Sequence, residues 1–140
     1  MSLVTDLRAS AALQDAIVAL CGTRIYCGAR PENSPMPALV FTRFSGGRIH
    51  DIDGPLGAAA PLVQIDVWTA DDYPQAEALE EAVRDWLDGF DGEAGDTLVL
   101  SAISDDERDM YEASALADEK GNQRKLLQYR VLHEESIPGS

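Results

Sequence analysis

The chain has 140 residues, of which 45% are hydrophobic and 26% charged, a size and balance that fit one domain with its own core and exclude a disordered or fibrous class. No apolar run approaches the roughly 20 residues needed to cross a bilayer, and Met1–Leu20 lacks the basic opening and cleavage site of a signal peptide, so the expected compartment is the cytoplasm. The net charge of −14 lies wholly in the second part: residues 1–60 carry five acidic and five basic side chains, residues 61–140 twenty and six, and so negative a surface repels phosphate backbones, which excludes direct nucleic-acid binding as an expectation.

In chain order, Val4–Leu20 reads as one helix, with Val4, Leu7, Ala11, Ile17 and Leu20 at roughly helical spacing and Gly22 as its stop. Cys21 and Cys27 follow at a spacing that matches no zinc or redox motif, and they are expected as free thiols. A short strand is expected at Arg24–Tyr26, a proline-rich loop at Gly28–Pro37 and a strand at Leu39–Phe44. "GGRIHDIDGPLGAAAP", residues 46–61, shows no helix or strand period; it reads as a long loop, with an extended hairpin as the alternative. Leu62–Thr69 alternates, with Val63, Ile65 and Val67 on one side and Gln64, Asp66 and Trp68 on the other.

The helix that follows has the clearest signals. Asp72 and Gln75 form a capping-box pattern, Pro74 sits in the first turn, and Gly89 closes the segment. Ala76, Leu79, Val83, Trp86, Leu87 and Phe90 make its apolar stripe, which is expected to cover Val63, Ile65 and Val67. Asp91–Asp96 reads as a turn, Leu98–Ile103 as a short apolar strand, and Ser104–Gln123 as a broad acidic loop. Lys125–His133 alternates again, with Leu127, Tyr129 and Val131 inward, and Glu134–Ser140 reads as a frayed tail. The order predicts a single α+β domain over residues 1–140, an antiparallel sheet of about four strands with two main helices packed on one face.

Candidate chemistry is thin. Nucleotide-binding glycine loops and the G-x-S-x-G elbow are absent, and His133-Glu134 fails as a zinc-protease motif because Ile137 stands where the second histidine must be. "IHDIDG" places Asp51, Asp53 and Gly54 at calcium-loop positions, but Ile49 and Ala60 occupy two required ligand places, so a turn is the better reading. His50 and His133 have no plausible nucleophile beside them, and the "SDDERDMYE" cluster lacks one too. That leaves two roles for the cluster: a solvated face, or an acidic surface that docks on a basic partner. Asp66 is expected to pair with Arg43 or Arg130, and the outward strand face becomes a candidate subunit contact. Its candidate residues are Arg43, Arg48, Asp66, Trp68 and Arg130, with Asp105 and Asp106 from the acidic run. No catalytic, cofactor or metal residue is assigned, and no enzyme is expected.

An ordered series of segments resembles one family. "GTRIY" at 22–26, "PALVFTRFSG" at 37–46, "DGPLG" at 53–57, "VQIDVWT" at 63–69, "AEALEEAVRDWLDGFDG" at 76–92, "ISDDERDMYE" at 103–112 and "QYRV" at 128–131 are similar, in order and spacing, to the tail-completion or tail-terminator proteins of long-tailed phages, prophages and gene transfer agents. The "ALADEKGNQRK" stretch and the glycine-rich segment match no feature of that family. The resemblance implies a small α+β fold and a hexameric ring at the head-proximal end of the tail tube, assembled in the bacterial cytoplasm and carried in the virion tail. The implied partners are other copies of the chain, the major tail tube protein and the head–tail connector protein, with no cofactor and no membrane. The alternative reading is a head–tail joining or minor tail protein of similar size, or a monomeric adaptor.

Overall fold

A computed structural model describes residues 3–31, 35–45, 48–51, 54–70, 72–112 and 122–134; the side chains at 44, 45, 48–51, 54–59, 111 and 112 lie outside that description. The first helical segment is two helices, not one: α1 (Leu3–Ala11) and α2 (Asp15–Cys21). Leu13 and Gln14 donate their backbone N–H groups to Ser10 and Ala11 in a tight turn, and Gln14 adopts an extended backbone before α2 begins. The bend has a packing cause. Ten residues along a straight helix would turn Ile17 about 80° away from Leu7, whereas both are fully buried here.

The strands are β1 (Ile25–Cys27), β2 (Ala38–Ser45), β3 (Arg48–Asp51), β4 (Gly54–Ala59), β5 (Leu62–Ala70), β6 (Gly92–Ala94), β7 (Thr97–Glu112) and β8 (Asn122–Glu134), with α3 (Tyr73–Leu87) between β5 and β6. They form a sheet of eight strands ordered β1-β2-β5-β8-β4-β3, with β7 beside β8 and β6 beside β7. The expectation of about four strands and two helices is corrected to eight and three among the described residues. The four-stranded body β2-β5-β8-β7 is antiparallel as expected, but β1 joins β2 in parallel. Of the two readings of residues 46–61, the hairpin is the one found: β3 pairs with β4, and β4 continues the line of β5 along the end of β8. Residues 46–47, 52–53 and the expected frayed tail beyond Glu134 lie outside the described residues.

One sheet face makes the core. Leu39 and Phe41 of β2, Val63, Ile65 and Val67 of β5, and Leu127, Tyr129 and Val131 of β8 are buried in one cluster with Leu7, Ile17, Leu79, Val83 and Leu87 of the helices. At about 1.5–3 kcal/mol for each large apolar side chain removed from water, this cluster is what fixes the strand alternation. The ring of Trp86 meets Phe41 edge-on at 6.2 Å and Phe90 at the same distance, which seats the end of α3 on the sheet. At its start, the Asp72 carboxylate accepts from the Gln75 N–H at 3.0 Å, as the capping pattern predicts.

The turn between β6 and β7 is held from the other end of the chain. Asp6 of α1 is fully buried and accepts a hydrogen bond from the Thr97 hydroxyl. Gly95, in the left-handed region at φ 56°, lies so close that a Cβ there would stand 2.6 Å from the Asp6 carboxylate. Only glycine satisfies both demands.

Candidate interface surfaces

The helices leave the other sheet face open, and the strand register lays it out in rows. Trp68 stands beside Arg124 and, across β8, Met110; Asp66 lies between Val40 and Leu126, with Arg108 beyond; Gln64 faces Gln128 and Asp106; Leu62 faces Arg130 and Ile103. Four of the residues singled out from the sequence, Asp66, Trp68, Asp106 and Arg130, therefore share this face. Arg43 does not. It pairs in register with Val63 and has the parity of Phe41, on the helix side of the sheet. Asp105 sits at the register shift between Ser104 and Asp106 and is exposed. The side chain of Arg48 lies outside the described residues.

Asp66 does not pair with Arg43 or Arg130. Its partner is Arg124, whose Nη2 donates to Oδ2 at 2.9 Å, while Gln64 Nε2 donates to Oδ1 at 2.9 Å. The carboxylate is only 6% exposed, so this bond compensates a real loss of hydration. Arg130 instead donates to the carbonyl of Ala60 at 2.7 Å, at the break between β4 and β5. The guanidinium of Arg124 also stands over the Trp68 ring at 4.7 Å from its centroid, and that of Arg30 at 5.2 Å. These side chains, with Val40 and Gly28, line a shallow cleft of about 300 Å³.

The acidic run is not a loop. Its residues through Glu112 belong to β7, paired with β8 along its length. Glu107 and Asp109 turn toward α3: Arg84 lies 3.2 Å from Glu107, and Lys125 lies 2.7 Å from Asp109 and 3.4 Å from Glu80. The Tyr73 hydroxyl donates to Asp109 at 2.7 Å and its ring lies under the Lys125 ammonium at 4.3 Å. Lys125 is 3% exposed. Burial alone would lower its pKa, but bonds to Asp109 and Tyr73 and the charge of Glu80 outweigh it and hold the ammonium above its ordinary value. The same Lys125 bond, then that of Tyr73, keeps the Asp109 carboxyl below its usual range. On the open face Asp106 pairs with Arg108 at 3.0 Å. Only part of the acidic cluster is thus free to meet a partner.

Among the described residues no group of three or more His, Cys, Asp or Glu side chains is placed to hold a metal, and no helix is long and apolar enough to cross a membrane. Cys21 is buried and Cys27 exposed, both free, and burial raises each thiol pKa above its ordinary value. The clamp around Lys125 and the pairing of Arg124 escaped the sequence reading. Their signal was present: extending the alternation of β8 backward puts Lys125 inward with Leu127, and Arg124 outward with Leu126.

Comparison with known proteins gives a family and a fold. The family model described as "Tail completion protein gp17" matches residues 1–134. Among solved structures, a chain of the virion of a native gene transfer agent particle superposes with a TM-score of 0.64 at 23% identity, covering 90% of this chain and 97% of that one. No curated protein matches the chain.

Proposed function

From the premise that the chain belongs to the tail completion protein gp17 family, whose members are structural proteins of phage-like tails, we propose that it closes the head-proximal end of the tail tube as a ring. The observation that carries this reading is the family match over nearly the whole chain, supported by a fold likeness to a gene transfer agent virion chain. In this reading the chain acts as one domain over residues 1–140 and forms a hexameric ring. One rim stops growth of the major tail tube protein, and the other receives the head–tail connector protein. Assembly takes place in the bacterial cytoplasm, and the product remains in the virion tail.

The open sheet face suits such a role. Trp and Arg side chains packed together are the residue types that dominate binding energy at protein contacts, and Trp68, Arg124 and Arg30 are gathered in one cleft. Asp66, Trp68, Asp106 and Arg130 on that face, together with Arg43 and Asp105 on the two outer strands and Arg48, are the proposed subunit and partner contacts. The test is to image the purified protein, alone and mixed with tail tubes, by light scattering and negative-stain microscopy. Rings of uniform size that seat on one tube end are expected. A chain that stays monomeric and leaves tube length unchanged overturns the proposal, and one that binds tubes without limiting their length points to a joining or minor tail role instead.

A further inference from the structure

The two flanks of the sheet differ in charge and in what remains unpaired. On one flank β7 uses its inner edge for β8 from Val99 to Glu112, while among the described residues its outer edge meets β6 at Thr97–Val99 and the N–H of Gly89, which donates to the Ala102 carbonyl at 2.9 Å. The ten residues beyond it, 103–112, have no neighbouring strand on that side among the described residues, about 30 Å of open edge. Exposed edges of that length are ordinarily blunted by charge and by bulges, and β7 has both, with register shifts at Val99/Ser101 and Ser104/Asp106. Blunting does not explain its apolar side chains. Ile103 is 62% exposed, and Leu100 and Met110 are 44% exposed each. Apolar residues spaced among like charges reject a copy of the same edge and accept an edge of opposite sign.

Such an edge lies on the opposite flank of this chain. β1 covers β2 only from Leu39 to Phe41, so the outer edge of β2 is open beyond that point among the described residues. Arg43, exposed, stands on that open stretch, and Arg24 lies at the start of β1. Between Tyr73 and Glu112 there are thirteen acidic and two basic side chains, whereas residues 1–45 hold four basic and three acidic. The flanks are therefore complementary to each other and not to themselves, the condition for a head-to-tail contact.

We propose that the outer edge of β7 in one copy lies along the open end of β2 in the next, with the β7 acid Asp105 facing Arg43 and Ile103 covered between them. A second copy of the chain is the occupant because the sign, the open backbone and the position at opposite ends of one sheet all match. This contact rests on the ring reading and specifies how its subunits meet.

The experiment uses charge reversal at two exposed positions outside the α3 clamp, Asp105→Arg and Arg43→Glu, with circular dichroism to confirm the fold. Each single variant is expected to lower the assembled fraction at least tenfold. An equimolar mixture of the two is expected to restore it, because alternating subunits give every contact a matched pair, and the double variant on one chain should assemble as well. In the wild-type assembly, amides at 103–107 should exchange hydrogen more slowly than in the monomer. If the wild type forms rings and the single variants do too, or if neither the mixture nor the double variant recovers, this contact is wrong and the ring stands. If the wild type never assembles, with or without tubes, both fall.

Discussion

Asp66 and Arg130 share a face and, from the sequence, a role; the structure separates them. Asp66 is nearly buried and is satisfied by Arg124 and Gln64, so truncating it leaves Arg124 without its counter-charge against Trp68. Leaving a partly buried charged donor unpaired costs about 1–3 kcal/mol. Asp66→Ala should therefore lose that much folding stability in urea titrations of the monomer. Arg130 is exposed and bonded to one carbonyl, and Arg130→Ala should change stability by no more than about 0.5–1 kcal/mol. Equal losses in the two variants would refute the distinction. The identity of Asp66 as an outward acid was legible from alternation alone. Its partner was not, because that depends on the register in which Trp68 faces Arg124, a pairing of strands separated in the chain by α3, β6 and β7 that no local pattern encodes.

The α3 helix and the β7 strand show the two extremes of legibility. The capping carboxylate, the early proline, the apolar stripe and the closing glycine of α3 all speak at the same period, and each is found in place. β7 beyond Ile103 offers no such agreement: acidic residues disfavour strands, and the bulge at Ser104/Asp106 breaks the alternation. What holds it as a strand is tertiary, the full-length pairing with β8 and the side chains it sends to α3. That clamp has a pH signature. The Asp109 carboxyl titrates below its unfolded value, so it stabilises the fold above that value and loses the contribution as pH falls through its lower folded one. Lys125, raised, stays charged throughout that window. Asp109→Asn should thus be less stable than wild type at neutral pH, and the gap should close as pH drops below about 4, the ordinary aspartate range. Urea midpoints measured from pH 7 down to the acid limit check this; a gap that persists unchanged in acid would show that the carboxylate charge is not what clamps β7 to α3.

Two electrostatic effects of different reach act on assembly of the whole molecule, and salt separates them. Each copy carries −14 charges, so approaching copies repel over distances comparable to their size. The proposed contact between the acidic β7 flank and the arginine-bearing β2 flank acts only across a few ångströms. At about 0.01 M salt the screening length is about 30 Å and the repulsion of the whole surface is felt; at about 0.15 M it is about 8 Å, and distant charges no longer oppose approach. Pairs in direct contact survive that screening but weaken as the length falls toward about 3 Å near 1 M. Ring formation followed by light scattering across sodium chloride concentration should therefore rise, pass a maximum and fall. A steady rise to high salt would mean that apolar burial at Ile103 carries the contact alone, which salt strengthens. A steady fall from the lowest salt would mean that the local pairs dominate at every distance and that the −14 charge is too widely spread to oppose them. Arg43→Glu decides between these causes within the same titration: it removes the attractive pair and adds to the net repulsion, so its curve should lose the falling limb and keep the rising one.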